Sequence, residues 1–337
     1  LRISRAESRH NHDFIDRLRL AARLTRLFFI TDVHGSDRCF RKFLNAAKAY
    51  KADTLILGGD VTGKVLVPIV EQPNGKYALT LFGESVTLGK SELEETQKKI
   101  RDAGEYYYMT NPQGIEEMNE SDEKREKVFT GCMLEMLRSW LALAEERLTC
   151  TSIKCYISPG NDDKLEIDEL LVDSGHLVNP ENRVVQLEGG YEMITLGYAN
   201  PTPWKSPREV TEERLGEMIE RLASGLSHPE NAIFNLHVPP FGTELDKAPA
   251  VDSEFRYVKD GLRVKMIHAG STAVRASIEK HQPLVGLHGH IHESKGFVRI
   301  GRTLCLNPGS EYGDGILRGA IVSLEGNKVK EFLLTSG

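Results

Sequence analysis

Leu27-Phe28-Phe29-Ile30-Thr31-Asp32-Val33-His34 and Thr54-Leu55-Ile56-Leu57-Gly58-Gly59-Asp60 decide the fold. Each is a short apolar run that ends in metal-binding side chains. Such runs, bounded by Gly or polar turn residues, read as buried strands. Residues 36–50 lie between them as a helix, so the three form one βαβ unit with parallel strands. The design recurs downstream. Cys155-Tyr156-Ile157 leads to Gly160-Asn161-Asp162-Asp163, Ile233-Phe234-Asn235-Leu236 to His237, and Leu284-Val285-Gly286-Leu287 to Gly289-His290-Ile291-His292. In α/β folds, ligands bind just past the carboxyl ends of strands. These strand ends therefore deliver Asp, Asn and His to one place. That is the donor mix of a divalent metal site, with two ions expected.

In this order the blocks resemble the calcineurin-like metallophosphoesterase family, whose pattern runs D-x-H, G-D, G-N-H-[DE], H and G-H-x-H. The resemblance extends from about residue 27 to residue 313. It implies an α/β fold, a four-layer α/β/β/α sandwich of two mixed β-sheets flanked by helices. It also implies a ligand set: Asp32, His34 and His292 on one ion, Asn161, His237 and His290 on the second, and Asp60 bridging both. The implied activity is hydrolysis of phosphoester bonds by a hydroxide that bridges the metals. Imidazole ligands suit Mn, Fe or Zn better than Mg. His237 follows a clean strand and is followed by Val238-Pro239-Pro240, so it ranks ahead of the alternative, His268. His288 is expected to sit buried behind the ligands. Asn307-Pro308-Gly309-Ser310 resembles a motif of a phosphodiesterase branch of the family, with Gly309 expected to serve a turn.

The chain departs from the family at Asp162, where the pattern has the His that donates a proton to the leaving oxygen. A carboxylate beside two cations stays ionised, and an ionised acid cannot donate. Three readings stay open. Asp162 helps bind a cation, or the natural leaving group needs no acid, or another residue such as Lys164 or a lid residue serves. The expected function is therefore a phosphodiesterase acting on a small soluble substrate, a nucleotide being one candidate. The alternatives are a phosphomonoesterase or nuclease of the same family, or a metal-binding scaffold without catalysis.

Composition narrows the partners. The chain has 337 residues and a net charge of −6, which weighs against a dedicated nucleic-acid binder. Cys39, Cys132, Cys150, Cys155 and Cys305 form no C-x-x-C pair, so reduced thiols and a cytoplasmic location are expected. No apolar stretch has the length of a membrane span. Residues 1–26 read as an N-terminal helical extension, with an Arg-rich helical run at 14–24. Residues 27–337 read as one metallophosphoesterase domain with an insertion at about 64–150, a lid or an oligomer surface. A homodimer is the default assembly. Within the insertion, residues 65–70, 77–81 and 85–88 alternate as antiparallel strands around the turn at Pro73-Asn74-Gly75. Helices are expected at 91–103 and 121–148. Tyr106-Tyr107-Tyr108 between them reads as a semi-buried turn in preference to a ring-stacking platform. Further helices are expected at 165–173, 207–225 and 271–281.

Overall fold

The computed structural model describes residues 24–337. The expected extension over 1–26 thus falls almost wholly outside the described residues. In chain order the first half comprises β1 (Thr25–Ile30), α1 (Asp37–Ala49), β2 (Thr54–Gly58), β3 (Leu66–Glu71), β4 (Tyr77–Leu81), β5 (Glu84–Leu88), α2 (Leu93–Asp102), β6 (Tyr106–Thr110), α3 (Pro112–Glu120) and α4 (Asp122–Leu148). Next come β7 (Lys154–Ser158), β8 (Leu177–Val178), β9 (Val184–Gln186), β10 (Glu192–Leu196), α5 (Glu212–Ala223) and β11 (Ile233–Leu236). The last stretch holds β12 (Lys247–Pro249), β13 (Lys259–Asp260), β14 (Arg263–Val264), β15 (Met266–His268), α6 (Thr272–His281), β16 (Val285–Leu287), β17 (Gly296–Ile300), β18 (Thr303–Asn307), β19 (Arg318–Glu325) and β20 (Lys328–Ser336).

Two six-stranded mixed sheets carry the fold, in the orders β20-β19-β1-β2-β7-β8 and β17-β18-β16-β11-β10-β9. Strand periodicity explains the layers. Alternate residues of a strand face opposite sides, and both faces of β1 are apolar. Leu27 and Phe29 pack with Met193, Ile233, Val285 and Leu304 of the second sheet. Phe28 and Ile30 pack with Phe40 and Phe43 of α1 and with Trp140 of α4. On the far side, Ile194, Phe234 and Cys305 meet Leu215, Ile219, Val274 and Ile278 of α5 and α6. The result is the α/β/β/α sandwich that the family resemblance implies.

Helix starts follow local chemistry. Ser36 caps α1 by accepting from the Cys39 amide, Ser121 caps α4 through the Lys124 amide, and Ser271 caps α6 through the Val274 amide at 3.1 Å.

Several elements differ from expectation. Tyr106-Tyr107-Tyr108 is neither a turn nor a platform. It opens β6, which pairs in parallel with β3 in a sheet ordered β5-β4-β3-β6. The buried Tyr106 hydroxyl accepts from the Gly63 amide at 2.6 Å. This pairing forms only after α2 has crossed over, so no local pattern announces it. The helix expected at 165–173 is a 3-10 turn, Leu165–Glu169. Arg208 claims the Lys164 carbonyl (3.1 Å) and the Asp168 carboxylate (2.7 Å) there. The helix expected from 207 begins at Glu212, because Arg208 and Val210 are in extended exchange with Ala199. The short helix α3 has no counterpart among the expected elements, although Asn111 caps it through the Gly114 amide (2.9 Å) and Pro112 sits in its first turn. Among the described residues no helix is long and apolar enough to cross a membrane.

The stretch 64–150 divides into two parts. β3 to β6 form their own small sheet with a separate core around Val67, Ile69, Leu79 and Ile100. Helix α4 instead belongs to the outer layer of the sandwich. Its Trp140 stacks on Phe40 at 4.2 Å between centroids and donates to Asp37 Oδ1 at 3.0 Å. Trp140→Ala should therefore lower stability by about 3–5 kcal/mol in urea unfolding. A loss under about 1 kcal/mol would mean that α4 merely rests on the sandwich.

Candidate metal centre

The site lies where the carboxyl ends of both sheets meet. Parallel pairing of β1 with β2 continues past their ends: the Asp32 amide donates to the Gly59 carbonyl and the His34 amide to the Asp60 carbonyl, both at 3.0 Å. The second sheet does the same, with the Gly289 amide on the His237 carbonyl at 2.8 Å. Two contacts then tie one sheet to the other. His237 Nδ1 donates to the Gly58 carbonyl at 3.0 Å, and the His290 amide reaches both Asp32 oxygens at 3.1 Å. The approach is tight: a Cβ at Gly59 would collide with the His237 ring, and one at Gly289 with Thr31 and Asp32.

Asp32, His34, Asp60 and His290 have φ of +53°, +40°, +50° and +66°. Left-handed backbone at such residues costs on the order of 1 kcal/mol or more each and clusters at functional sites. The pairing just described holds these residues there.

All seven residues nominated as ligands converge. Asp32, His34 and His292 form one group, Asp32, Asp60 and His237 a second, and His34, Asp60 and Asp162 a third, with donor atoms in each group within 4.8 Å of one another. His34 Nε2 and His292 Nε2 face each other at 3.1 Å, and His292 Nε2 lies 3.4 Å from Asp32 Oδ1. His237 Nε2 is 3.5 Å from Asp60 Oδ1 and is buried without a hydrogen-bond partner. Its Nδ1 is engaged by the Gly58 carbonyl, so Nε2 is the ring nitrogen turned toward the carboxylates. That is how a ligating His is usually oriented. Asn161 Oδ1 lies 2.7 Å from His290 Nδ1, and the His290 ring lies 5.6 Å from that of His237, which places the remaining two residues beside the cluster. The donor set fits divalent metal.

Electrostatics agree with that fit. Burial disfavours the Asp32 carboxylate, but His292 and His237 hold its pKa down at about 2. Asp60 is also held well below the usual carboxylate range, against burial, chiefly by His237. Burial opposes a charge on His237, yet Asp60 and Asp32 lift its pKa to about 10. Burial keeps His34 and His290 neutral, at about 4. Without an ion, protons on imidazole supply the positive charge that two buried carboxylates require.

The alternatives fall elsewhere. His268 Nδ1 is on Asp246 at 2.8 Å, outside these groups. His288 is buried with Nδ1 on the Leu236 carbonyl at 2.8 Å. Gly309, at φ +70°, makes the expected turn, and the Ser310 hydroxyl donates to the Asp32 carbonyl at 2.6 Å. Asn307 Nδ2 donates to the Ile291 carbonyl at 3.0 Å, bracing the loop that bears His290 and His292.

Asp162 is not left as a bare negative charge. Its Oδ1 accepts from Ser206 Oγ at 2.5 Å, its Oδ2 pairs with Lys64, and its amide donates to Asp60 Oδ1 at 3.0 Å. Lys164, considered above as a stand-in acid, turns to α4, where it meets Thr130 at 3.0 Å and pairs with Glu126. The lysine beside Asp162 is Lys64. Sequence reading missed it, although it lies four residues past Asp60. Tyr312 was also missed. Its ring lies 4.8 Å from that of His34 and 6.0 Å from that of His292, and burial raises its pKa.

Asp163, buried, binds the loops together. It accepts the amides of Val61 (2.9 Å), Thr62 (2.8 Å) and Gly160 (2.8 Å). Burial, and then Asp60, raise its pKa to about 6. Arg208 Nε donates to the Asp163 carbonyl at 3.0 Å from behind.

No family model matches the chain. A Methanocaldococcus jannaschii protein, MJ1162, itself described as uncharacterized, is 33% identical over 153 residues, which is 44% of this chain and 61% of that protein. The match thus spans less than two thirds of that relative. A solved crystal structure aligns over 93% of this chain and 99% of its own, with a TM-score of 0.56 and 17% identity. That of TT1561 from Thermus thermophilus aligns over 94% and 99%, with a TM-score of 0.51 and 14% identity. At these identities the likeness carries the fold.

Asp163→Ala would leave three buried amides without acceptors. It should cost about 1–3 kcal/mol of stability and weaken metal binding about ten- to a hundred-fold in chelator competition. Wild-type metal affinity in that variant would show that the bracing does not matter.

Proposed function

We propose that this chain is a metal-dependent hydrolase of phosphoester bonds, of the calcineurin-like metallophosphoesterase family, and that it prefers diesters. One observation carries the reading. Two buried carboxylates, Asp32 and Asp60, are ringed by imidazoles from both sheets, and His237 Nε2 faces them with no other partner. In this reading Asp32, His34 and His292 hold one ion, Asn161, His237 and His290 hold another, and Asp60 is shared. Bound there, divalent ions would acidify the attacking water and neutralise phosphoryl charge.

The remaining steps belong to the chain's own groups. The Lys64 ammonium, held by Asp162 and half exposed, is placed to meet a phosphoryl oxygen or to pass a proton to the departing oxygen. Burial works against its charge, and Asp162 outweighs it, so its pKa is raised and it stays cationic. Tyr312, whose pKa burial raises, keeps its phenol proton, and its ring packs beside those of His34 and His292. Asp162 orients Lys64 in this scheme and does not donate a proton itself. Paired with Lys64, Asp162 presents no net negative charge, and the preference for diesters rests on its standing where the family pattern has a proton-donating His.

The test is elemental analysis together with hydrolysis of bis(4-nitrophenyl) phosphate and 4-nitrophenyl phosphate in Mn. About two ions per chain are expected, with the diester preferred and Asp60→Asn reduced to background. Lys64→Ala should lose about a hundred-fold in kcat, and more on esters with alkyl leaving groups than on nitrophenyl esters. No bound metal and no turnover of either ester would sink the proposal.

A further inference from the structure

The fold displays two aromatic rings near the site that its core does not use. Trp204 and Phe255 are 60% and 54% exposed. Their rings nevertheless lie close to parallel, 6.2 Å apart between centroids with 28° between planes. They come from separate loops, and each loop is braced on its own. Glu209 accepts the amides of Thr202 (3.0 Å) and Ser206 (2.9 Å) on either side of Trp204. The Trp204 amide itself donates to Thr202 Oγ1 at 3.2 Å. In the other loop Asp252 Oδ1 accepts the amides of Glu254 (2.8 Å) and Arg256 (3.0 Å), which fixes Phe255 at a left-handed φ of +60°. Two rings that stay more than half exposed gain little by burying one another. Both loops hold their ring out from the core in a set orientation.

Their position links them to the metal centre. Trp204 is two residues from Ser206, and two residues of chain span at most ~7 Å. Ser206 donates to Asp162, and the Asp162 amide donates to Asp60. Cations lie along this path, with Lys64 on Asp162 and the exposed Lys205 next to Trp204. At 6.2 Å between centroids and 28° between planes, the spacing is that of two rings packed on one another with an offset, so a flat ligand would lie on the exposed face of the pair.

We propose that Trp204 and Phe255 form a stacking site for the nucleobase of a nucleotide ester whose phosphorus sits at the Asp32–Asp60 cluster, an inference that rests on the phosphoesterase reading above. Cations on the path meet the phosphate, and the rings meet the base. Stacking accepts any base because each has a π face. The site therefore selects for a planar base over a sugar phosphate, without choosing among bases. The segment from Phe255 to Met266 also exposes Tyr257 and Leu262, so a second copy of this chain is the competing occupant.

The chain has two tryptophans, and Trp140 is buried, so changes in exposed emission report on Trp204. The metal-loaded protein is titrated with adenosine 5′-monophosphate and, as control, with ribose 5-phosphate. Quenching by the first alone is expected, absent in Trp204→Phe, with Kd about ten-fold weaker in Phe255→Ala. In parallel, kcat/KM is compared for thymidine 5′-(4-nitrophenyl) phosphate and methyl 4-nitrophenyl phosphate. The preference for the nucleoside ester should fall about ten-fold in Trp204→Ala and in Phe255→Ala. Both esters hydrolysed with the same ratio in wild type and variants would overturn the base site and leave the phosphoesterase reading standing. Quenching by adenosine 5′-monophosphate without turnover of either ester would keep the base site and remove the phosphoesterase reading. Shielding of Trp204 that rises with protein concentration and ignores the nucleotide would assign the rings to self-association and overturn the proposal.

Discussion

Two carboxylates, Asp32 and Asp60, are buried within a few ångströms of each other, and much of the structure answers to that. Like charges at about 5 Å repel by about 3 kcal/mol even at an effective dielectric of about 20. Burial adds a desolvation penalty to each. Such a pair persists only where positive charge and hydrogen bonds face it. His237, His292 and the His290 amide do so from the second sheet, and Thr31 does so from the first, at 2.7 Å from Asp32 Oδ2. The compensation therefore crosses the sandwich. Neither sheet alone could carry the site, and the cross-sheet bonds at Gly58 and Asp32 set how closely the two edges meet.

Behind the cluster lies a second level of restraint. Asp163 gathers the loops after β2 and β7, and Arg208 clamps the segment after Asp163 to Asp168. Ser310 and Asn307 hold the loops after β1 and β16. This rigidity is what lets four residues keep left-handed backbone without relaxing. It also fixes the surroundings of Asp162. Where the family pattern has a His, this chain has a carboxylate engaged by Ser206 and Lys64. The substitution therefore moves a positive charge to the site on a neighbouring loop, and it ties the loop bearing Trp204 to the same point.

Much of the architecture was legible in the sequence because the information was local. β1, β2, β7, β11 and β16 are apolar runs that stop at Gly or at donor residues, and the nominated ligands follow those runs directly. Tyr106 to Tyr108 shows the limit. Three aromatics between two helices look alike as a turn, a platform or a strand, and only pairing with β3, forty residues earlier in the chain, makes them a strand. The helix expected at 165–173 failed for a related reason. Its apolar spacing was adequate, but a guanidinium from residue 208 took its carbonyl and its carboxylate.

The sequence by itself determined the order of strands and donors, and with it the kind of chemistry the chain can hold, because a strand and the side chains at its end are contiguous. Tertiary structure alone decided which further groups join them. Lys64, Tyr312, Arg208, Trp204 and Phe255 sit in loops without periodicity, and their neighbours lie tens to hundreds of residues away. Their roles come from loop closure and cross-sheet packing, which bring together charges and rings that no stretch of sequence contains side by side.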